Sequence, residues 1–341
     1  MALLLSKPIE PEKQKGIVSF RYRAPWCGGD LQTIRNELLR PRRPDVMRSS
    51  VMEFPTSDGS GDRLSGTLTH PIGSWSGPLI LLIHGFTGSE ESTYIRESER
   101  FHLVRGRAVL RVSMRGAGKS KSTGRYYHAG SSSDIEDVLK RLVLDRVASS
   151  IFAIGFSLGG NILLNLLAHL ANDDRLRGAA VVSAPIKLEQ ACRRLMERRN
   201  YFYHRALLSR IKREVLSLEV LTASERKTIA DARSLFEFDD TWVAPKNKFD
   251  GARDYYSRAS SFRHAEDIRI PTLMLHACDD PWIPVEPYFE LQNRNMASVK
   301  VLIASGGGHV GFHEHGFRET WHDRMIDEFL SALVHPSGAG K

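Results

Sequence analysis

Three short stretches carry residues that together could break an ester bond. The first, GFSLGG at 155–160, sets Ser157 between Gly155 and Gly159. A serine held on a sharp strand-to-helix turn has strained backbone angles, and side chains at the flanking positions would collide with their neighbours. The second, HACDDP at 276–281, offers Asp279 and Asp280; the third, GGGHVGF at 306–312, offers His309. A serine hydroxyl is a poor nucleophile until a base takes its proton, and the base needs a partner that fixes its tautomer. Serine, acid and histidine occur here in the chain order found when such a triad sits on an α/β sheet. The spacing points to nucleophilic acyl transfer by Ser157, with His309 as base and Asp280 as its orienting acid. Asp280 precedes Pro281 and the apolar Trp282-Ile283, a turn that can aim its carboxylate inward. Asp279 is the competing acid, and its commoner role would be a turn-stabilising carboxylate bonded to backbone N–H.

Acyl transfer also needs donors for the developing oxyanion. Position assigns these to the backbone N–H groups of Leu158, after the serine, and of Phe86, after His84-Gly85. Losing one such donor costs about 3 kcal/mol of transition-state stabilisation. His313, His315 and His322 follow His309, but no acidic or cysteine cluster joins them, so no metal and no cofactor is expected. Two other motifs are set aside. The loop ending in Gly118-Lys119-Ser120 resembles a phosphate-binding loop, yet its first glycine position is Ser113. Cys27 in WCGGD lacks the surroundings of a thiol nucleophile.

The elements that must position these groups are short apolar, β-branched runs: Leu79–Ile83, Ala108–Val112, Ile151–Ile154, Ala179–Ser183, Thr272–Leu275 and Val299–Ile303. Continuous rather than alternating apolar runs fit parallel strands buried on both faces. Their alternation with helical patterns predicts a doubly wound, mostly parallel α/β sheet, in which ligands bind at the carboxyl ends of the strands. Those ends carry HGF, RGAG, GFSLGG, SAP, CDDP and GGGHVGF. Helical spacing over Asn161–Leu170 puts the serine between a strand and a helix. The long segment between Ala184 and Thr272 is dominated by helix formers and predicts a helical cap. The expected organisation is an N-terminal arm with initial strands at 1–77, a core at 78–186 and 270–341, and a cap or lid at 187–269.

The chain of 341 residues is 41% hydrophobic and 26% charged, ordinary for a globular protein with a real core. No apolar run approaches the roughly 18 residues of a membrane span. The opening MALLLSKPIEPEKQK is too short in its apolar part for a signal-peptide core. Three widely spaced cysteines suggest neither a disulfide framework nor a zinc site. Together these predict a cytoplasmic protein. The net charge is +8, and between Lys187 and Val215 nine Lys or Arg face three Glu, interleaved with Leu195, Tyr201, Phe202, Tyr203, Leu207, Leu208 and Ile211. Such a run is most often a solvated helix face; a weak contact with anionic membrane is its other use. No nucleic-acid module accompanies it, so no nucleic-acid partner is expected.

Motifs in order along the chain extend the argument: GGDLQT around Leu31-Gln32-Thr33, HGFTGS at 84–89, MRGAG at 114–118, GFSLGGN, VSAP at 182–185, EFDD at 237–240, ARDYY at 252–256, HACDDP and GGHVGF. With these the sequence resembles the α/β-hydrolases, and within them the YheT-like group of predicted serine esterases, over most of its length. The resemblance implies Ser157, Asp280 and His309 as the triad and carboxylic-ester hydrolysis as the reaction. It also implies relatives that are phospholipases cleaving medium-chain acyl groups, or acyltransferases making medium-chain ethyl esters, often with an N-terminal membrane anchor. The expected substrate is a small ester with an apolar, short- to medium-chain acyl group. Two alternatives share the fold: transfer of the acyl group to an alcohol, and a non-catalytic binding protein, which would need none of the ordered triad.

Overall fold

The computed structural model describes residues 16–39, 48–73, 75, 77–120, 122, 124–170, 176–294 and 296–334. Its strands are β1 (Ile17–Val18), β2 (Ser49–Pro55), β3 (Arg63–Thr69), β4 (Leu79–Ile83), β5 (Val109–Ser113), β6 (Ile151–Phe156), β7 (Leu176–Val182), β8 (Thr272–Ala277) and β9 (Val299–Ala304). They form one sheet in the order β1-β9-β8-β7-β6-β4-β5-β3-β2. β2 and β3 are a hairpin, β3 runs antiparallel to β5, and every other pairing is parallel.

The apolar runs of β4, β5, β6 and β8 are buried on both faces, whereas in β9 Lys300 is exposed and Leu302 half-buried. Leu79, Leu81 and Ile83 of β4 pack into one hydrophobic cluster while Ile80 and Leu82 pack into the other. The helices Ser132–Leu144 and Leu158–His169 contribute Val138, Leu142, Ile162 and Leu166 to the first cluster. The helices Thr93–Leu103 and Trp321–Val334 contribute Ile95, Leu103, Ile326 and Leu330 to the second. Each fully buried Leu or Ile contributes about 1.5–3 kcal/mol, so two-sided burial fixes the register of every central strand. This is the doubly wound, mostly parallel α/β sheet that the strand spacing predicts.

Between β7 and β8 the chain is helical. Leu188–Leu195, Tyr201–Leu216, Ala223–Asp231 and Ala252–Ala259 are α-helices, and Asp239–Val243 is a π-helical turn. The start of Ala223–Asp231 is set by a capping box: Thr222 Oγ1 accepts from Glu225 N–H at 3.1 Å, and Glu225 Oε2 accepts from Thr222 N–H at 2.8 Å. Leu207, Leu208, Ile211 and Val215 bury one face of Tyr201–Leu216 against the rest of this layer.

Several element bounds differ by a few residues from the sequence expectation, β7 starting at Leu176 rather than Ala179 among them. β6 continues through Gly155 and Phe156, and the following helix starts at Leu158 rather than Asn161. Glycine is a poor helix former, but close approach decides here. A Cβ on Gly159 would lie 2.4 Å from His84 O, and one on Gly155 would lie 2.6 Å from Gly159 O. The loop after β5 is also accounted for. Arg115 is buried in it, bonding Asp134 through Nε (3.1 Å) and Nη2 (2.5 Å), and Asp58 and Asp62 through Nη1 (2.8 and 2.9 Å).

Candidate active site

Ser157 stands between the end of β6 and the helix Leu158–His169, near the middle of the sheet. Its φ is 50° and its ψ −123°, a left-handed backbone that a residue with a Cβ adopts only under constraint. Its N–H is held by Val182 O at 2.8 Å. The turn pushes the hydroxyl toward the loop after β9, where His309 Nε2 lies 2.9 Å from Ser157 Oγ. His309 Nδ1 lies 2.9 Å from Asp280 Oδ2, at the end of β8. The other oxygen of Asp280 accepts from the N–H groups of Trp282 (2.8 Å) and Ile283 (3.0 Å). With a carboxylate on one side, Nδ1 carries the proton and donates it to Asp280, which leaves Nε2 to accept from the serine hydroxyl. Such a chain can take the proton from a serine as it attacks a carbonyl.

Burial alone would push the Asp280 carboxyl up, but His309, His276 and the backbone N–H of Ile283 hold it below the usual carboxylate value. It is therefore ionised wherever an imidazole is neutral. Trp282 covers His309, ring centroids 4.4 Å apart, and shields the pair from water.

Asp279 points the other way. Its Oδ1 accepts from Gly308 N–H (2.9 Å) and its Oδ2 from the Tyr22 hydroxyl (2.9 Å), so it braces the loop that carries His309. Thr33 Oγ1 accepts from His309 N–H at 2.8 Å, and Gln32 accepts from His313 N–H at 2.7 Å. Gln32 and Thr33 lie on the helix Gly29–Leu38, so the N-terminal segment holds the histidine loop in place. The bonds made by Tyr22, Thr33 and Gln32 have no local sequence signal, because each joins residues more than 250 positions apart.

His84 shapes the loop after β4. Its Nε2 accepts from Met114 N–H at 2.9 Å, so the proton sits on Nδ1, which donates to Gly85 O at 2.8 Å. Gly85 O also accepts from the Tyr127 hydroxyl at 2.8 Å. This clamp sets Phe86 beside Ser157 in the lining of one cavity. Leu158 lines it too, as the first residue of its helix, where N–H groups have no intrahelical acceptor. The remaining histidines do not converge. His313 is buried between the guanidinium groups of Arg23 and Arg35, His322 lies against Asp323, and His315 is exposed. Among the described residues no three His, Cys, Asp or Glu side chains are grouped to hold a metal ion.

The cavity above Ser157 has a volume of about 420 Å³, within the range of small-molecule sites. The helical segment supplies Leu188, Ala191, Leu195, Leu207, Leu235, Tyr255 and Tyr256 to its wall. A second, polar cavity of about 730 Å³ adjoins it and shares Phe86, Thr87, Tyr94 and Arg210.

Burial has a measurable consequence for stability. It lowers His84, His102, His128 and His276 from 6.5 to about 4 in the folded protein. The unfolded chain therefore binds more protons as the pH drops below about 6.5. Stability from these groups is full above that value and is lost on the way down to about 4. The urea midpoint is expected to be lower near pH 5 than near pH 7.5. Equal midpoints would contradict the neutral, buried state of these rings.

A doubly wound sheet with a serine turn at the end of a central strand, and histidine and acid after the last two, defines an α/β hydrolase. Residues 80–322 match the family model described as "Alpha/beta hydrolase family", and the chain belongs to that family. It is 31% identical to the candidate esterase YheT of Escherichia coli K12 over 288 residues, covering 83% of each chain. It is 28% identical to mouse phospholipase ABHD3, covering 92% of this chain and 78% of that one. Among solved structures it shares the fold of the Pyrococcus furiosus esterase Pf2001, with a TM-score of 0.58 at 19% identity, covering 94% and 98% of the two chains. The chain is thus a hydrolase with esterases and phospholipases among its relatives. Among the described residues no helix is long and apolar enough to cross a membrane.

Proposed function

We propose that this protein cleaves carboxylic esters of short- to medium-chain acyl groups through an acyl-enzyme on Ser157. The observation that carries the reading is the Ser157–His309–Asp280 chain, two contacts of 2.9 Å each, at the floor of an apolar cavity. Ser157 attacks the ester carbonyl and His309 takes the proton, then returns it to the leaving alcohol. Asp280 keeps the imidazole in the right tautomer, and the N–H groups of Phe86 and Leu158 receive the oxyanion. The acyl chain lies under the helical cap, 187–269, and the polar cavity next to Phe86 admits water and releases the alcohol. The test is a series of p-nitrophenyl esters from acetate to decanoate, with and without ethanol. Turnover is expected, with free acid as product; an ethyl ester as the main product would mark acyl transfer, and no turnover at any length would favour the binding protein.

The free thiols Cys27, Cys192 and Cys278 fit a reducing, cytoplasmic setting. A weak contact with anionic membrane falls to the basic cap, where Phe202 is 83% and Tyr201 56% exposed beside Arg198 and Arg205. Each arginine near such a surface contributes about 1 kcal/mol. Replacing Arg198 and Arg205 by serine is expected to weaken sedimentation with phosphatidylglycerol vesicles about tenfold or more. Unchanged binding would rule the contact out.

A further inference from the structure

One carboxyl in the wall of the substrate cavity takes no part in the chemistry at Ser157. Asp239 opens the π-helical turn Asp239–Val243 and lines the same cavity as Ser157 and His309. Turns of this kind recur at functional sites. Its neighbour Asp240 has a structural task, accepting from Ala252 N–H at 2.8 Å at the start of the next helix. Asp239 has a different setting. Its Oδ2 accepts from the Tyr256 hydroxyl at 2.6 Å, and the same hydroxyl lies 3.2 Å from Cys192 Sγ. Tyr256 and Cys192 also line the cavity.

Among the described residues no cation pairs with Asp239, although Arg210 and Arg213 line the same cavity. Burial pushes the Asp239 carboxyl up to about 7, and the Tyr256 bond offsets only part of this. Asp239 itself pushes the Cys192 thiol and the Tyr255 phenol further up. A plain alkyl chain would gain nothing from such a group; a leucine of similar size in that wall would serve it better and avoid the cost of burying a carboxyl. The arrangement does suit a donor. With Tyr256 committed to Oδ2, the wall of the cavity carries the remaining carboxyl oxygen of Asp239 and the phenol oxygen of Tyr256, two acceptors on adjoining side chains when the carboxyl is ionised.

We propose that Asp239 and Tyr256 form a subsite that receives a hydrogen-bond donor, a hydroxyl or an amine, carried on the acyl chain of the ester. The preferred substrates are then hydroxy- or amino-acyl esters with an otherwise apolar chain. A chain ending in a carboxylate is repelled where Asp239 is ionised, above about pH 7. The proposal rests on the ester-hydrolase reading of Ser157 and narrows its substrate class. A site built to hydrogen-bond a substrate hydroxyl discriminates strongly against the analogue that lacks it, because its own acceptors are then left unpaired.

The test compares kcat/KM of the whole protein for p-nitrophenyl alkanoates with their ω-hydroxy, ω-amino and ω-carboxy counterparts from four to ten carbons. At the chain length that reaches Asp239, the hydroxy or amino ester is expected to be preferred about tenfold or more over the plain ester, with the carboxy ester the poorest. In Asp239→Leu that ratio is expected to collapse toward one, and in Tyr256→Phe to fall partway; a purely structural role would lower all substrates alike and leave the ratio unmoved. If Asp239→Leu does not fold, the wild-type ratios decide alone. Hydrolysis of plain esters with no preference at any length overturns the subsite and leaves the hydrolase standing. No hydrolysis of any ester, with no fluorophosphonate adduct on Ser157, overturns both.

Discussion

Ser157→Ala is expected to lower kcat on p-nitrophenyl esters about a millionfold, the scale of loss when the nucleophile of a triad is removed. The fold should survive, because the change deletes one oxygen whose partner is His309 Nε2. A second variant separates chemistry from architecture. Ser157 has φ 50° and ψ −123°, angles that alanine tolerates no better than serine. Glycine relieves them, so Ser157→Gly should be equally inactive yet more stable than Ser157→Ala, by about 1–3 kcal/mol. Urea midpoints in that order would mean that the turn stores strain to present the hydroxyl. Equal midpoints would mean that the backbone there is relaxed and that the glycines at 155 and 159 serve packing alone.

Asp280→Asn should cost about 10⁴ in kcat, for a reason specific to this turn. Trp282 and Ile283 both donate N–H bonds to Asp280 Oδ1, so an asparagine must keep its carbonyl oxygen there. Its NH₂ would then face His309 Nδ1 and force the proton onto Nε2, toward the serine. Asp279→Asn has no such conflict. Its carbonyl can still accept from Gly308 N–H, and its NH₂ can donate to the Tyr22 oxygen in place of the present bond. A loss of less than about tenfold is expected, since only a charged hydrogen bond gives way to a neutral one. Steady-state kinetics of the two variants settle the matter, and losses of similar size would contradict the assignment of Asp280.

The parts of the fold legible in the sequence are those written in local pattern. LILLI at 79–83 is β4 residue for residue, because burial on both faces demands an unbroken apolar run. The strand ends after β6, β8 and β9 carry GFSLGG, HACDDP and GGGHVGF, and the sheet brings their Ser157, Asp280 and His309 to one point. The supports of that point were not legible. Tyr22 to Asp279, Thr33 to His309 and Gln32 to His313 are bonds across 257, 276 and 281 positions, and single polar residues so far apart leave no periodic trace. An arm of Arg, Pro and Gly gives no hint that its helix Gly29–Leu38 clamps the histidine loop. Asp239 was visible only as half of an acidic pair; the cavity wall separates it from Asp240, which the pattern could not do.

The most direct test of the account is intact-protein mass spectrometry after treatment with a fluorophosphonate, with the adduct mapped by digestion. A single adduct on Ser157, absent in Asp280→Asn over the same time, is the predicted result, since only an activated serine attacks phosphorus at neutral pH. Folded protein that takes up no adduct, or takes it up at another residue, would contradict the claim that Ser157, His309 and Asp280 form a working catalytic chain.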